Sequence, residues 1–135
     1  MNNINQVFVV DNDPSARNGL VRLLSTTGYN VSSYASTKDF LGSLESNVIG
    51  CLVLDADTPG LSGIELLNQL KAFNADLSII IISSNNDRAI QGKSWQKKAD
   101  AFFRKPVDGT ALIDSIEWAL RSKSMNDNNS NVKTE

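Results

Sequence analysis

Five short apolar runs, each followed by a stretch of helical character, restrict this chain to one kind of architecture. The runs are Val7 to Val10, Val31 to Tyr34, Cys51 to Leu54, Leu77 to Ile82 and Ala101 to Phe103. Strand-length apolar segments alternating with helices predict an α/β fold, a parallel sheet wrapped by helices. The third and fourth runs are apolar nearly throughout, as central strands covered on both faces should be.

The intervening stretches carry their own start and stop signals. Asp13 as N-cap and Pro14 at the first helical position open a helix with Ala16, Leu20, Leu23 and Leu24 on one face and Gly28 as terminator. Ser36 with Asp39 opens a second helix bearing Phe40, Leu41 and Leu44, and Ser62 with Glu65 forms a capping box before Ile64, Leu67 and Leu70. A fourth stretch, near Asn86 to Lys98, is interrupted by Gly92 and has no full apolar stripe, which predicts low local stability. The fifth helix begins at Asp108 and buries Leu112, Ile113, Ile116, Ala119 and Leu120, leaving Trp118 on the opposite side. After Arg121 the composition turns to Ser, Asn, Asp and Lys, which predicts one folded domain over 1–122 and a disordered tail or linker over 123–135.

Composition narrows the function. A length of 135 residues suits one core, and a net charge of −2 gives no global attraction to nucleic acid or an anionic membrane. The single cysteine, Cys51, sits in an apolar run and reads as a buried, reduced thiol. No apolar run approaches the roughly 20 residues of a membrane span and no leader pattern opens the chain, so a cytoplasmic location is expected.

In an open doubly wound sheet, ligands bind beyond the carboxyl ends of the strands. The first strand ends in Asp11-Asn12-Asp13, the third in Asp55-Ala56-Asp57, the fourth in Ser83-Ser84-Asn85 and the fifth in Arg104-Lys105-Pro106. Helix capping accounts for Asp13, directly before Pro14, but not for Asp55, which lies seven residues before Ser62. Two carboxylates, a hydroxyl and an ammonium converging on one basin suit a phosphoryl group with magnesium. A carboxylate can attack phosphorus to form an acyl phosphate, the metal offsets the gathered negative charge, Lys105 adds a cation and Ser83 a donor.

These residues resemble the receiver domains of bacterial two-component response regulators, the chemotaxis and FixJ-like members above all. The resemblance rests on Val9-Val10-Asp11-Asn12-Asp13-Pro14-Ser15, Leu52-Val53-Leu54-Asp55 with Pro59-Gly60-Leu61-Ser62-Gly63, Ile82-Ser83, and Phe102-Phe103-Arg104-Lys105-Pro106, in that order over roughly 5–122. It implies a flavodoxin-like doubly wound sheet of five parallel strands, order 2-1-3-4-5, with five helices. It further implies that Asp55 accepts a phosphoryl group from a histidine kinase or phosphotransfer protein. Asp11, Asp55 and the main-chain carbonyl of Asp57 would bind Mg2+, with Asn12 contributing weakly or through water. Ser83 and Phe102 would form the switch pair, Lys105 would contact the phosphoryl group, and the bond before Pro106 would be cis. Such a domain is not an enzyme in the ordinary sense, although it assists its own magnesium-dependent phosphorylation and dephosphorylation. The face made by the fourth helix, fifth strand and fifth helix would switch, with homodimerisation through it, and a helix-turn-helix DNA-binding effector would follow if the chain is a fragment. The receiver itself would bind neither nucleic acid nor membrane.

The main departure is Asn12, where the family usually carries a second adjacent acid. One lost carboxylate at about 5 Å from a divalent ion removes roughly 2 kcal/mol of attraction in a water-like dielectric and about 7 at an effective constant of 20. Weakened magnesium binding is therefore expected, and a degenerate receiver acting as a phosphorylation-independent interaction module is the alternative. Asp55-Ala56-Asp57-Thr58 is also similar to the nucleophile motif of haloacid-dehalogenase-type phosphatases, but the threonine falls one position early and no paired acids follow Lys105. A flavin site of the flavodoxin type would need a hydroxyl-rich loop where Asp-Asn-Asp-Pro stands.

Overall fold

A computed structural model describes residues 4–58, 63–84 and 99–133. Its strands are β1 (Gln6–Val10), β2 (Asn30–Tyr34), β3 (Ile49–Asp55), β4 (Asp76–Ser83) and β5 (Ala101–Arg104). The described helices are α1 (Pro14–Ser25), α2 (Thr37–Gly42), α3 (Gly63–Ala72) and α4 (Gly109–Lys133). All four strand pairings are parallel and the order is β2-β1-β3-β4-β5. The expected helix near Asn86 to Lys98, and the expected cap Ser62, lie outside the described residues. The final helix of the sequence reading is therefore α4.

Alternation along the strands divides the interior into two layers. Val7, Val9, Cys51, Val53, Ile80 and Ile82 face α1 and α4, where they meet Leu24, Leu112, Ile116 and Leu120. Phe8, Val10, Leu52, Leu54, Ile79 and Ile81 face the other way, against Phe40 and Leu44 of the α2 region and Leu66 and Leu70 of α3. The six residues of α2 are too few to hold a helix in isolation, and Phe40 anchors them by edge contacts with Phe8 and Tyr34 at 5.5 and 5.6 Å between ring centroids. Gly50 lies so close to β1 that a Cβ there would meet the Gln6 main chain.

Helix starts follow the sequence signals. The Asp13 carboxylate accepts the Ser15 N–H at 3.0 Å with Pro14 as first helical residue, and Ser36 Oγ accepts the Asp39 N–H at 3.0 Å. Asp108 accepts the N–H groups of Thr110 and Ala111 at 3.0 and 3.3 Å. Trp118 is 71% exposed, and rather than facing wholly away from the sheet it borders a cleft shared with Ile80 of β4 and Ala101 of β5. α4 continues through Lys133, over the segment that the composition marks as a disordered tail or linker. No glycine or proline occurs between Ser122 and Lys133, so the polar segment holds nothing that stops a helix already nucleated by the packed turns before it. Near the point where α4 passes the amino-terminal ends of the strands, Lys123 Nζ bonds Asp76 at the start of β4, at 2.6 Å.

Candidate functional site

Register brings the polar strand ends together. Val10 pairs with Leu54, so Asp11 and Asp55 follow at the same level on adjacent strands. Asp55 pairs with Ile82, which puts Ser83 one step further out, and Ser83 pairs with Arg104, directly before Lys105. The basin is thus built from one residue at the end of each of four strands. Asp11, Asp55 and Ser83 are buried, at 2%, 6% and 3% exposure.

Asp55 is held from two sides. Its Oδ2 accepts the Lys105 ammonium at 2.8 Å and its Oδ1 accepts the Asp57 N–H at 2.9 Å. Burial alone would lower the Lys105 pKa, but the hydrogen bond and charge of Asp55, joined by Asp11 and Asp57, raise it above the ordinary lysine value. Asp11 behaves in the opposite sense. Burial pushes its carboxyl up to about 6, the Asp13 N–H bond pulls it down, and the charge and hydrogen bond of Asp55 raise it again. Two carboxylates at one buried spot with a single ammonium between them leave excess negative charge, which a cation would relieve.

The remaining sequence candidates occupy the rim. Asn12 is exposed and its main-chain N–H donates to Thr58 Oγ1 at 3.2 Å, tying the β1 exit to the β3 exit. The Asp57 carboxylate accepts the Ser84 N–H and hydroxyl at 3.2 and 2.7 Å. Phe102 is half-buried on β5 and packs with the α2 and α3 layer, while its neighbour Phe103 packs with the other. The Lys105–Pro106 peptide bond is cis. Beside Asp11 and Lys105 opens a cleft of about 300 Å³, lined mainly by Ala16, Leu20, Leu23, Ile82, Pro106 and Val107.

Three contacts escaped the sequence reading. Arg17 Nη1 donates to the Asp11 carbonyl at 2.7 Å, fixing the main chain that carries Asp11. Thr58 and Ser84 bridge neighbouring strand exits. Arg17 stands one turn into α1, opposite the loop it binds, and that spacing was the only available signal.

The chain matches the response regulator receiver domain over residues 7–117. It belongs to that family. The receiver is 33% identical over 115 residues to the transcriptional regulatory protein FixJ of Bradyrhizobium diazoefficiens, covering 85% of this chain and 56% of that protein. It is 35% identical over 118 residues to the transcriptional regulatory protein TdiR of Thauera aromatica, covering 87% and 52%. A solved structure of the response regulator StyR superposes with a TM-score of 0.81 at 35% identity, over 96% of this chain and 65% of that one. This receiver spans about half the length of the curated relatives it matches. It is a signalling domain of two-component systems, so the phosphatase and flavin-binding alternatives fall away.

Among the described residues no cluster of three or more His, Cys, Asp or Glu side chains is arranged as a metal cage, and no helix is long and apolar enough to cross a membrane. Magnesium needs no such cage, since it takes one or two carboxylates and fills its remaining positions with water, carbonyl and phosphoryl oxygens. Asp11 and Asp55 are the two carboxylates that could serve such an ion here.

Proposed function

We propose that Asp55 is the phosphoacceptor of this receiver. The observation that carries the reading is a buried carboxylate at the sheet's switch point, ion-paired to Lys105 at 2.8 Å and crowded by Asp11. In the transfer, an Asp55 carboxylate oxygen forms a bond to phosphorus as the bond from phosphorus to the donor's imidazole nitrogen breaks, and the electron pair leaves with the imidazole. These 135 residues contain no histidine, so the donor, a histidine kinase or phosphotransfer protein, lies outside them.

Lys105 stabilises the charge that accumulates on the phosphoryl oxygens, and Ser83 donates to them from the next strand. Asp11, Asp55 and the Asp57 carbonyl would hold Mg2+, which supplies further charge neutralisation when bound. Asn12, at the exposed rim, acts weakly or through water. The same group of residues assists phosphorylation and later hydrolysis. Ser83 and Phe102 then communicate the change to the β5 and α4 face, the expected surface for homodimerisation through exposed Trp118. Residues 1–122 form the receiver, and 123–135 act as a linker to an effector, a helix-turn-helix DNA-binding domain being the kind expected from the FixJ-like resemblance. The whole acts in the cytoplasm.

Intact mass after incubation with magnesium and acetyl phosphate tests the reading. One added phosphoryl group is expected, abolished in Asp55→Ala. An unlabelled wild type, under conditions that label another receiver, would instead establish the phosphorylation-independent module that Asn12 favours.

A further inference from the structure

A chain of hydrogen bonds runs from Asp55 to the exit of β4 and is not needed for the chemistry above. Asp55 Oδ1 accepts the Asp57 N–H at 2.9 Å, and the Asp57 carboxylate accepts both the N–H and the hydroxyl of Ser84, at 3.2 and 2.7 Å on Oδ2. The Ala56 N–H donates to the Ile82 carbonyl at 2.8 Å, so the exits of β3 and β4 stay joined beyond the last paired strand residues. Ser84 directly follows Ser83, whose carbonyl is in turn held by the Lys105 N–H at 2.9 Å.

We infer that the Asp57 side chain is a positioning residue, a latch that holds Ser84, and with it the β4 exit, in the unphosphorylated arrangement and loosens when Asp55 is phosphorylated. The inference rests on the phosphoacceptor reading of Asp55. Two bonds from one residue to a single carboxylate are charge-assisted and fix both the main chain and the side chain of Ser84. Forming the acyl phosphate acts on this latch at two points. It converts the Asp55 carboxylate, a strong acceptor for the Asp57 N–H, into a mixed anhydride whose carboxyl oxygens carry no net charge and accept more weakly. It also places phosphoryl charge beside the Asp57 carboxylate, which like-charge repulsion drives outward. Ser83 cannot move toward the phosphoryl group without carrying the Ser84 N–H, so release of Ser84 and movement of Ser83 are coupled. The state of Asp55 is thereby passed to the β4 exit through the main chain, in parallel with the Ser83 hydroxyl.

The test uses the 135-residue chain, its Asp57→Ala, Asp57→Asn and Ser84→Ala variants, and two measurements. Amide hydrogen exchange at Ser84 is followed without any phosphoryl source, and affinity for beryllofluoride, a phosphoryl mimic, is measured with magnesium present. Asp57→Ala is expected to speed exchange at Ser84 and tighten beryllofluoride binding, each by at least about tenfold, the net worth of a hydrogen bond to a charged group. Asp57→Asn, whose amide oxygen still accepts, should return both most of the way to the wild-type values. Ser84→Ala, which removes the hydroxyl arm at an exposed position and spares the N–H arm, should fall between. Unchanged exchange and affinity in Asp57→Ala overturn the latch, as do equal effects of Asp57→Ala and Asp57→Asn, which would assign the change to charge alone. A wild type that takes up neither beryllofluoride nor phosphoryl overturns the phosphoacceptor reading, and the latch with it.

Discussion

The burial of Asp11, with Asp55 beside it, makes the stability of this receiver depend on pH in a direction that can be worked out. The Asp11 carboxyl is raised from 3.8 to about 6, first by burial and then by Asp55. A carboxyl with a folded pKa above its unfolded one holds its proton more tightly in the folded state. Stability conferred by that proton is present below the unfolded value and declines as pH rises toward the folded one. At about 1.4 kcal/mol for each pH unit, the gap amounts to about 3 kcal/mol, of which about 2 disappear between pH 4.5 and 7.5. Asp11→Asn removes the charge and keeps an oxygen for the Asp13 N–H, bonded at 2.9 Å in the wild type. Without divalent cations the variant should therefore gain on the wild type by about 2 kcal/mol across that range, or roughly 5 to 10 °C in Tm for a domain of this size. Magnesium at pH 7.5 should raise the wild-type Tm and leave the variant nearly unmoved. Thermal unfolding at both pH values, with chelator and then with magnesium, measures all four quantities. Parallel pH profiles for the two proteins would refute the reasoning, since the buried negative charge would then not be the source of the cost.

Other outcomes follow from individual contacts. Gly50→Ala should cost about 2 to 3 kcal/mol in urea unfolding, because its Cβ has no room against the Gln6 main chain; a midpoint equal to wild type would contradict that close approach. Burial pushes the Cys51 thiol up to about 12, so native protein at pH 8 should resist alkylation and react fully only in denaturant; ready labelling of the native chain would show an accessible thiolate. Lys105→Ala, which removes the 2.8 Å partner of Asp55, should slow phosphorylation by acetyl phosphate at least about tenfold while Asp55 remains the labelled residue; an unchanged rate would remove Lys105 from the proposed transfer step.

The fold was readable because its elements carry strong local signals. Apolar runs marked all five strands, and Asp13-Pro14, Ser36 and Asp108 marked three of the helix starts. Asp11, Asp55, Ser83 and Lys105 could be grouped because a parallel sheet brings the carboxyl ends of its strands to one edge, whatever their distance in sequence. What stayed hidden depends on geometry finer than that. The bond between Asp57 and Ser84 spans 27 positions and requires the β3 and β4 register to be known to the residue. Arg17 on the Asp11 carbonyl is a main-chain contact, and composition carries no mark of it. The helical course of the polar segment after Arg121 was not legible for a different reason. Low apolar content argues that a segment cannot pack, but a segment need not pack to extend a helix that is already anchored.

That extension gives α4 a mechanical character. The helix starts just beyond Lys105 and Pro106, at the basin, and reaches the amino-terminal end of the strands, where Lys123 meets Asp76. From Gly109 to Lys123 it travels about 21 Å at 1.5 Å per residue, without a break. A rod of this kind transmits rotation as well as displacement. Whatever is joined to its far end is set in azimuth by the number of residues between, since each residue turns the direction of exit by about 100°. Relatives with linkers of different length would therefore present their outputs in different phases, and insertions of a whole number of turns would be the ones that preserve the geometry.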